Sequence, residues 1–492
     1  MNALLVYPKY PDTFWSFKHV LRFVSRKATF PPLGLLTIAA MLPEEWSKKL
    51  VDTNVNELAD EQIAWADMVF ISSMLVQKES AQEIIDRCKA MGKKVVAGGP
   101  AFTTQHEKFH GVDYFVLNEA EITLPLFLKD LKEGNPREIY TSDERPDISK
   151  TPVPLWSLID LDDYVAMAVQ YSRGCPFNCE FCDIIIMNGR VPRTKAPEQI
   201  IKEMQALYDA GWRESVFIVD DNFIGNKIAV KKMLPALVEW QKEHKYPFRF
   251  FTEASTNLAD DAGLMQLMSA ANFNKVFLGI ETPCVESLKE CGKMQNVERD
   301  LAESVKIIHQ NGMQVMGGFI VGFDNDKESI FDAQVSFIQK TGVVTAMVGM
   351  LNALPQTRLW HRLKAEGRLL KDTSGENTDG TLNFIPKMGK ERLVKGYQQV
   401  LSRIYSPRQY YQRIDTFIKY YRPTAKSRLT KKDILAFLKS IWHIGVLSDS
   451  RFLYWKLLLK TGLTKAKAVP IAVELAIIGL HFEKITNKVL SA

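Results

Sequence analysis

Three cysteines fall within eight residues: Cys175-Pro176-Phe177-Asn178-Cys179-Glu180-Phe181-Cys182. Three residues separate the first pair and two the second. Thiolates on one tight loop can each hold one iron of a 4Fe–4S cluster. No fourth ligand follows nearby in sequence, which leaves one iron open to a chelating substrate or cofactor. A structural zinc site is the plainer alternative, but it wants four closed ligands. The nearest histidines, His110 and His244, are far away in sequence. Cys88, Cys284 and Cys291 lie in helical or loop patterns and read as free thiols.

Other residues fit for chemistry gather at the ends of apolar runs. Asp220-Asp221-Asn222-Phe223 ends one, and Glu253 ends the next. Gly279-Ile280-Glu281-Thr282-Pro283 and Gly318-Phe319-Ile320-Val321-Gly322 end two more. Upstream, Ser72-Ser73, Gly98-Gly99-Pro100 and Asn118-Glu119-Ala120-Glu121 occupy similar places. Small residues there let a flat, bulky ligand approach the backbone. Each motif has a plain alternative. Asp221 and Asn222 could cap the following helix, and Gly318 and Gly322 could mark a bulge or tight packing. A nucleotide is the alternative upstream ligand, but the spacing is not GxGxxG and there is no phosphate loop.

These residues need strands to hold them. Strands are predicted at Ala3–Tyr7, Lys49–Asp52, Met68–Ser72, Lys94–Ala97 and Tyr114–Leu117, with helices at Leu33–Met41, Ser80–Met91 and Ala120–Leu131. That alternation over residues 1–133 implies a doubly wound, Rossmann-like parallel sheet, its ligand at the carboxyl ends of the strands. Residues 134–165, rich in Pro and Asp, read as a linker. Residues 166–352 repeat a strand–helix beat six times, with strands near Ala168–Ser172, Ser215–Val219, Phe248–Glu253, Lys275–Gly279, Gln314–Ile320 and Val344–Leu351. Six beats imply a partial (β/α)6 barrel without eight-strand closure. Residues 353–492 are helical in pattern. The fold class is therefore α/β with a helical C-terminal domain.

A cysteine loop of this spacing, with an aromatic before the last cysteine and opening a partial barrel, resembles the radical S-adenosylmethionine (SAM) superfamily. The resemblance implies that SAM chelates the open iron and is split to a 5′-deoxyadenosyl radical. It also implies SAM contacts at Phe181 near the adenine, Asp221, Asn222, Glu253, Glu281, Gly318 and Gly322. The acidic residue that often closes the last motif is Asn325 here. Residues 1–133 are similar to the cobalamin-binding domain that precedes many such barrels. That implies cobalamin near Ser72, Ser73, Gly98, Gly99, Pro100 and Glu119, although Asn118 replaces a usual glycine. No Asp-x-His-x-x-Gly motif is present, so the cobalamin is expected base-off and without a histidine ligand. Met74 or Gln77 would lie nearest its lower face.

Both cofactors together imply a methyltransferase acting on an unactivated carbon. Ring rearrangement, cyclisation or carbon–carbon coupling is the alternative chemistry, and an inactive cobalamin-binding module the alternative of another class. The stretches Phe30–Leu35, Leu42–Trp46, Val219–Asn226 and Ala353–Thr357 are similar to the hopanoid C-2 methylase branch, which implies an apolar, hopanoid-like lipid substrate. A flavodoxin or ferredoxin is the expected electron donor.

Composition agrees with an ordinary globular protein: 24% charged and 46% hydrophobic residues. The net charge of +6 hides an asymmetry. Residues 387–492 carry 21 Lys and Arg against 6 Asp and Glu, whereas residues 1–386 carry 42 against 51. A basic tail on an acidic body points to an anionic partner. The segment Arg451–Lys460 mixes aromatic, aliphatic and cationic residues, as a peripheral contact with an anionic membrane surface would. An ordinary amphipathic helix docked on the barrel is the plain alternative. Nucleic acid is disfavoured, since no RNA-binding module is recognisable. Six cysteines, no signal-peptide pattern and no uninterrupted apolar span make a cytoplasmic setting the expectation.

Overall fold

The computed structural model describes residues 1–376, 379–424, 426 and 430–491. Its first sheet is parallel throughout. The strands are β1 (Asn2–Tyr7), β2 (Ser47–Asp52), β3 (Met68–Ser72), β4 (Lys94–Gly98), β5 (Tyr114–Val116) and β6 (Ile139–Tyr140), in the order β2-β1-β3-β4-β5-β6. The order reverses at β1, where doubly wound sheets form their ligand crevice. Alternate residues of β1 serve opposite faces. Ala3 and Leu5 pack with Leu35, Leu124 and Phe127. Leu4 and Val6 pack with Ile63, Ile85 and Phe102. Burial on both faces explains the continuous apolar runs of these strands. Strand β6 lies inside the stretch predicted as a linker, and Leu117 N bonds Tyr140 O at 2.9 Å to extend the sheet edge.

The second sheet begins at β7 (Ala166–Val169). A short antiparallel hairpin follows, β8 (Ser172–Arg173) with β9 (Arg193–Thr194). The barrel continues with β10 (Ser215–Ile218), β11 (Arg249–Ala254), β12 (Phe273–Glu281), β13 (Gln314–Val321) and β14 (Ala346–Met350). The six barrel strands are parallel and neighbour one another in chain order from β7 to β14. Strands β7 and β14 do not pair among the described residues, so the barrel is open. Along β11 the outward Phe250 and Thr252 are buried under helices, while Phe251 and Glu253 on the concave face are half-buried.

Two distant segments fill the gap between β7 and β14. Beside β7, Val165 N bonds Ala28 O and Ala166 N bonds Thr29 O, both at 3.1 Å. Beside β14, Tyr405 OH donates to Ala346 O, and Arg413 Nη2 donates to Val344 O at 3.1 Å. Phe14 joins the two fillings, with its ring 5.8 Å from Tyr405 and 5.4 Å from Phe482. Residues near 14–30 therefore pack with the barrel core, although the first domain surrounds them in sequence. The tail forms helices Arg358–Ala365, Lys390–Ile404, Pro407–Tyr420, Lys431–Ser440, Arg451–Lys465 and Val469–Ser491.

Candidate functional site

The end of β10 lies along the start of the cysteine loop and grips it residue by residue. Asp220 accepts Tyr171 N at 2.7 Å and Ser172 Oγ at 2.6 Å. Asp221 accepts Gly174 N and Asn188 Nδ2, both at 2.9 Å. Asn222 brings its Nδ2 to 3.9 Å from Cys175 Sγ and accepts Ser255 N at 3.2 Å. Gly174 has φ +98, and a Cβ there would lie 3.0 Å from Gly189 O, so only glycine fits this entry to the loop. Burial pushes the Asp220 carboxyl up to about 7. The helix-capping alternative does not hold for this triplet: Asn226 caps the following helix, accepting Ala229 N at 3.1 Å.

The far side of the loop is held by other elements. Glu180 N donates to Cys291 O at 2.7 Å, and the Glu180 carboxylate takes Arg362 Nε at 2.6 Å. Arg358 Nη1 donates to Asn178 O at 3.1 Å. Gln295 Nε2 lies 4.0 Å from Cys179 Sγ, and Gln295 Oε1 is buried without a partner. Burial raises the Cys175, Cys179 and Cys182 thiols. Among the described residues, no three His, Cys, Asp or Glu side chains close on one point as a single ion needs. A 4Fe–4S cluster instead takes each thiolate at a different iron. The loop offers three soft thiol donors on one tight turn, which fits a cluster. Cys291 does not supply a fourth ligand, because its buried thiol points to Leu288 O at 3.5 Å.

The mouth of the barrel brings the other acidic residues to the loop. Glu253 is pushed up to about 7, first by burial and then by the neighbouring Asp221 and Asp220. Glu281 sits at a register shift between β12 and β13, with φ +63, a conformation costly for a side-chain-bearing residue. That twist aims its carboxylate at Lys293 Nζ, 2.6 Å away. Phe181 lies at the edge of the site, its ring 6.1 Å from Phe323. The glycines in and just after β13 have packing reasons. A Cβ on Gly318 would lie 2.9 Å from Phe277 Cζ, and one on Gly322 2.9 Å from Leu393 Cδ2. Asp326, one residue beyond Asn325, accepts Gly322 N at 2.8 Å, Phe323 N at 3.1 Å and Ser287 Oγ at 2.6 Å. Asp220, Lys293, Gln295 and Asp326 were not singled out for these roles by the sequence. A widened search for polar residues just past strand ends would have included Asp326.

In the first domain, Ser72, Ser73, Gly98 and Gly99 meet at the carboxyl ends of β3 and β4. Gly99 has φ +89, and a Cβ there would lie 2.5 Å from Ser72 Oγ. Pro100 opens the short helix Pro100–Gln105. Ser73 Oγ is buried without a partner, the kind of orphan a large polar ligand would satisfy. On the Ser73–Gln77 loop, Met74 is 43% exposed. Gln77 turns inward instead: its Oε1 accepts Met74 N at 2.8 Å and its Nε2 donates to Pro8 O at 2.5 Å. Its amide is therefore used to hold the loop. Asn118 takes φ +61, a left-handed conformation that Asn tolerates better than most side chains, which accounts for it standing where glycine was expected.

Glu119 has a different role from the one its neighbours suggest. Its carboxylate accepts Arg173 Nη1 at 2.8 Å and Arg193 Nη2 at 2.8 Å, from the two strands of the hairpin. Glu121 accepts Arg173 Nη2 at 2.7 Å and Thr151 Oγ1 at 2.7 Å. Burial alone would raise Glu121, but Arg173 outweighs it and keeps the carboxyl low. These two carboxylates bolt the first domain to the hairpin from which the cysteine loop springs.

Comparison with known proteins matches three successive stretches of the chain. A B12 binding domain family matches residues 20–128, the radical SAM superfamily residues 169–337, and a domain of unknown function (DUF4070) residues 357–492. The chain is 47% identical over 462 residues to an uncharacterised methyltransferase of Synechocystis, covering 92% of this chain and 86% of that one. It is 35% identical over 473 residues to the hopanoid C-2 methylase of Rhodopseudomonas palustris, covering 93% and 89%. Among solved structures, the cobalamin-dependent SAM radical enzyme OxsB with aqua-cobalamin bound aligns with a TM-score of 0.63 at 16% identity, over 100% of this chain and 80% of that one. The radical SAM methyltransferase TsrM of Kitasatospora setae aligns with a TM-score of 0.57 at 15% identity, over 76% and 79%.

Proposed function

The chain belongs to the cobalamin-binding radical SAM methyltransferases, in the family that includes hopanoid C-2 methylase, and from that premise we propose that it methylates an unactivated carbon of an apolar, hopanoid-like lipid. One observation carries the substrate class. The concave face of the barrel is floored by aromatic rings that remain half-buried: Phe30, Phe217, Phe251 and Phe277. Phe217 and Phe251 stack at 4.8 Å, and Phe30 lies 5.3 Å from Phe217. Such a floor suits a rigid hydrocarbon skeleton and keeps water from the reacting carbon.

When bound, the cluster with SAM supplies a hydrogen-abstracting radical, and cobalamin carries the methyl group. The chain's own residues bind and orient. Cys175, Cys179 and Cys182 would hold the cluster, and Asp220, Asp221 and Asn222 fix the loop that carries them. Glu253, the Glu281–Lys293 pair and Phe181 line the mouth where SAM would lie. Ser73 and Met74 would present the first domain's face to cobalamin, and no Asp-x-His-x-x-Gly motif offers it a histidine. A flavodoxin or ferredoxin is the electron donor in this reading.

The test is anaerobic turnover with methyl-deuterated SAM, cobalamin and reductant, using lipid extract from cells lacking the protein. Deuterium in a lipid heavier by one methyl group is expected, with 5′-deoxyadenosine formed alongside and neither formed by Cys179→Ala. Formation of 5′-deoxyadenosine with no label in any lipid would favour cyclisation or coupling and overturn methyl transfer to lipid.

A further inference from the structure

Helix Arg451–Lys465 is apolar on two opposite sides. Tyr454, Leu457 and Thr461 face inward and are buried. Phe452, Trp455, Leu459 and Leu463, at intervals of three, four and four, form a second stripe on the far side. Their exposures are 75%, 39%, 65% and 87%. The solvent side of a docked helix is normally polar, so this face is unpartnered by design of the sequence.

The stripe does not stop at the helix. Trp455 Nε1 donates to Gly445 O at 3.0 Å, which draws the preceding turn, Ile441–Val446, against it. There Trp442 is 58% exposed and the adjoining Leu447 60%. Of 21 exposed large apolar side chains among the described residues, ten fall within residues 434–463. The exposure is concentrated, which marks an interaction surface rather than scattered surface residues.

Charge selects the partner. Residues 431–467 carry eight Lys or Arg against two Asp. Arg451 and Lys456 are exposed and border the stripe, Lys456 standing four residues after Phe452 and three before Leu459. Asp433 is occupied in capping Thr430 N at 2.8 Å. A second copy of the same face would bring like charges together across a two-fold axis. A phosphate-rich polymer would leave the large apolar side chains without a use. No described helix is long and apolar enough to cross a membrane, so any lipid contact is along a surface.

We propose that this face of the tail docks the enzyme on an anionic lipid bilayer, with Phe452, Trp455, Leu459 and Leu463 at the boundary between headgroups and acyl chains and Arg451 and Lys456 on lipid phosphates. The proposal rests on the lipid-substrate reading for its purpose, but its test is independent of turnover.

The test is flotation of the full chain with phosphatidylcholine vesicles, with and without phosphatidylglycerol, at low and high salt. Binding is expected to the anionic vesicles at low salt. Arg451→Glu with Lys456→Glu should weaken it by at least about 30-fold. A combined Phe452→Ser, Leu459→Ser and Leu463→Ser variant should lose it at an unchanged melting temperature. Vesicles with brominated acyl chains should quench the tryptophan fluorescence, and Trp442→Phe with Trp455→Phe should remove that quenching. Failure to float on anionic vesicles would overturn the proposal, as would equal binding by the triple serine variant. A dimer in solution that this variant dissociates would assign the face to a second copy instead. Turnover of lipid dispersed in detergent separates the two readings, since the serine variant keeps it if only docking is lost.

Discussion

Glu119 of the first domain and Arg173 of the hairpin meet at 2.8 Å, and Arg173 stands two residues before the first cysteine of the loop. The carboxyl ends of the first sheet and the cysteine loop are thereby set at a fixed separation. Methyl transfer needs two reacting centres around one carbon, and a misplacement of about 1 Å can cost about 100-fold in rate.

Glu119→Gln should therefore uncouple the reaction. The Glu119 side chain is 6% exposed and Arg173 15%, so losing the charge costs about 3 kcal/mol, the low end for a buried pair. Chemical denaturation checks that figure. Methylated product per 5′-deoxyadenosine should fall, while cluster content stays near the wild-type value. An unchanged ratio would mean that the pair only stabilises the fold.

Asp221→Ala should loosen the cysteine loop. It leaves Gly174 N and Asn188 Nδ2 without their acceptor, at about 1–3 kcal/mol for each buried donor. Iron bound per chain after anaerobic reconstitution should drop, and the electron paramagnetic resonance signal of the reduced cluster should weaken. Asp221→Asn, which keeps an acceptor oxygen, should lie between the two.

Gly318→Ala should weaken SAM binding by displacing Phe277, whose Cζ would lie 2.9 Å from the added carbon. Adding Phe277→Leu should restore much of the affinity if the glycine serves packing. No recovery in equilibrium binding of SAM would show that the backbone of β13 itself touches the cofactor.

His309 carries a pH dependence of stability. It is fully buried against Phe417, both ring nitrogens lack partners among the described residues, and burial holds it down to about 3. The unfolded chain takes up a proton near 6.5 that the folded chain refuses, so stability falls as pH drops. It should be full above about 6.5 and fall by about 1.4 kcal/mol per pH unit below, relative to His309→Leu. Urea melts of both proteins at several pH values give the difference.

The cysteine loop, the six barrel beats and the doubly wound sheet were legible because spacing and periodicity are local signals. What sequence could not place were contacts between strand ends far apart in the chain. The resemblance implied ligand contacts at Asp221 and Glu119; what it could not show is that Asp221 also accepts Gly174 N, 47 residues away, and Glu119 also pairs with Arg173, 54 residues away. Gln77 was a polar residue on the right loop whose direction only the backbone decides. The resemblance puts the acidic partner of the β13 motif at position 325, which is Asn; Asp326 meets the turn instead. Residues 14–30 gave no sign that they leave the domain around them.

The filling of the open barrel edge bears on how the protein is made. His481 Nε2 approaches Phe14 O at 3.1 Å across 467 residues of sequence. Phe14 leaves the ribosome long before the helix that covers it exists. Contacts of such separation slow folding, because loop closure precedes any reward. Until the tail arrives, Phe14 and Phe23 lack the cover of Tyr405, Phe482 and His443, and the nascent chain exposes an apolar edge that chaperones would recognise. Truncation within the last helix should thus be felt first as aggregation during synthesis, before any defect in chemistry.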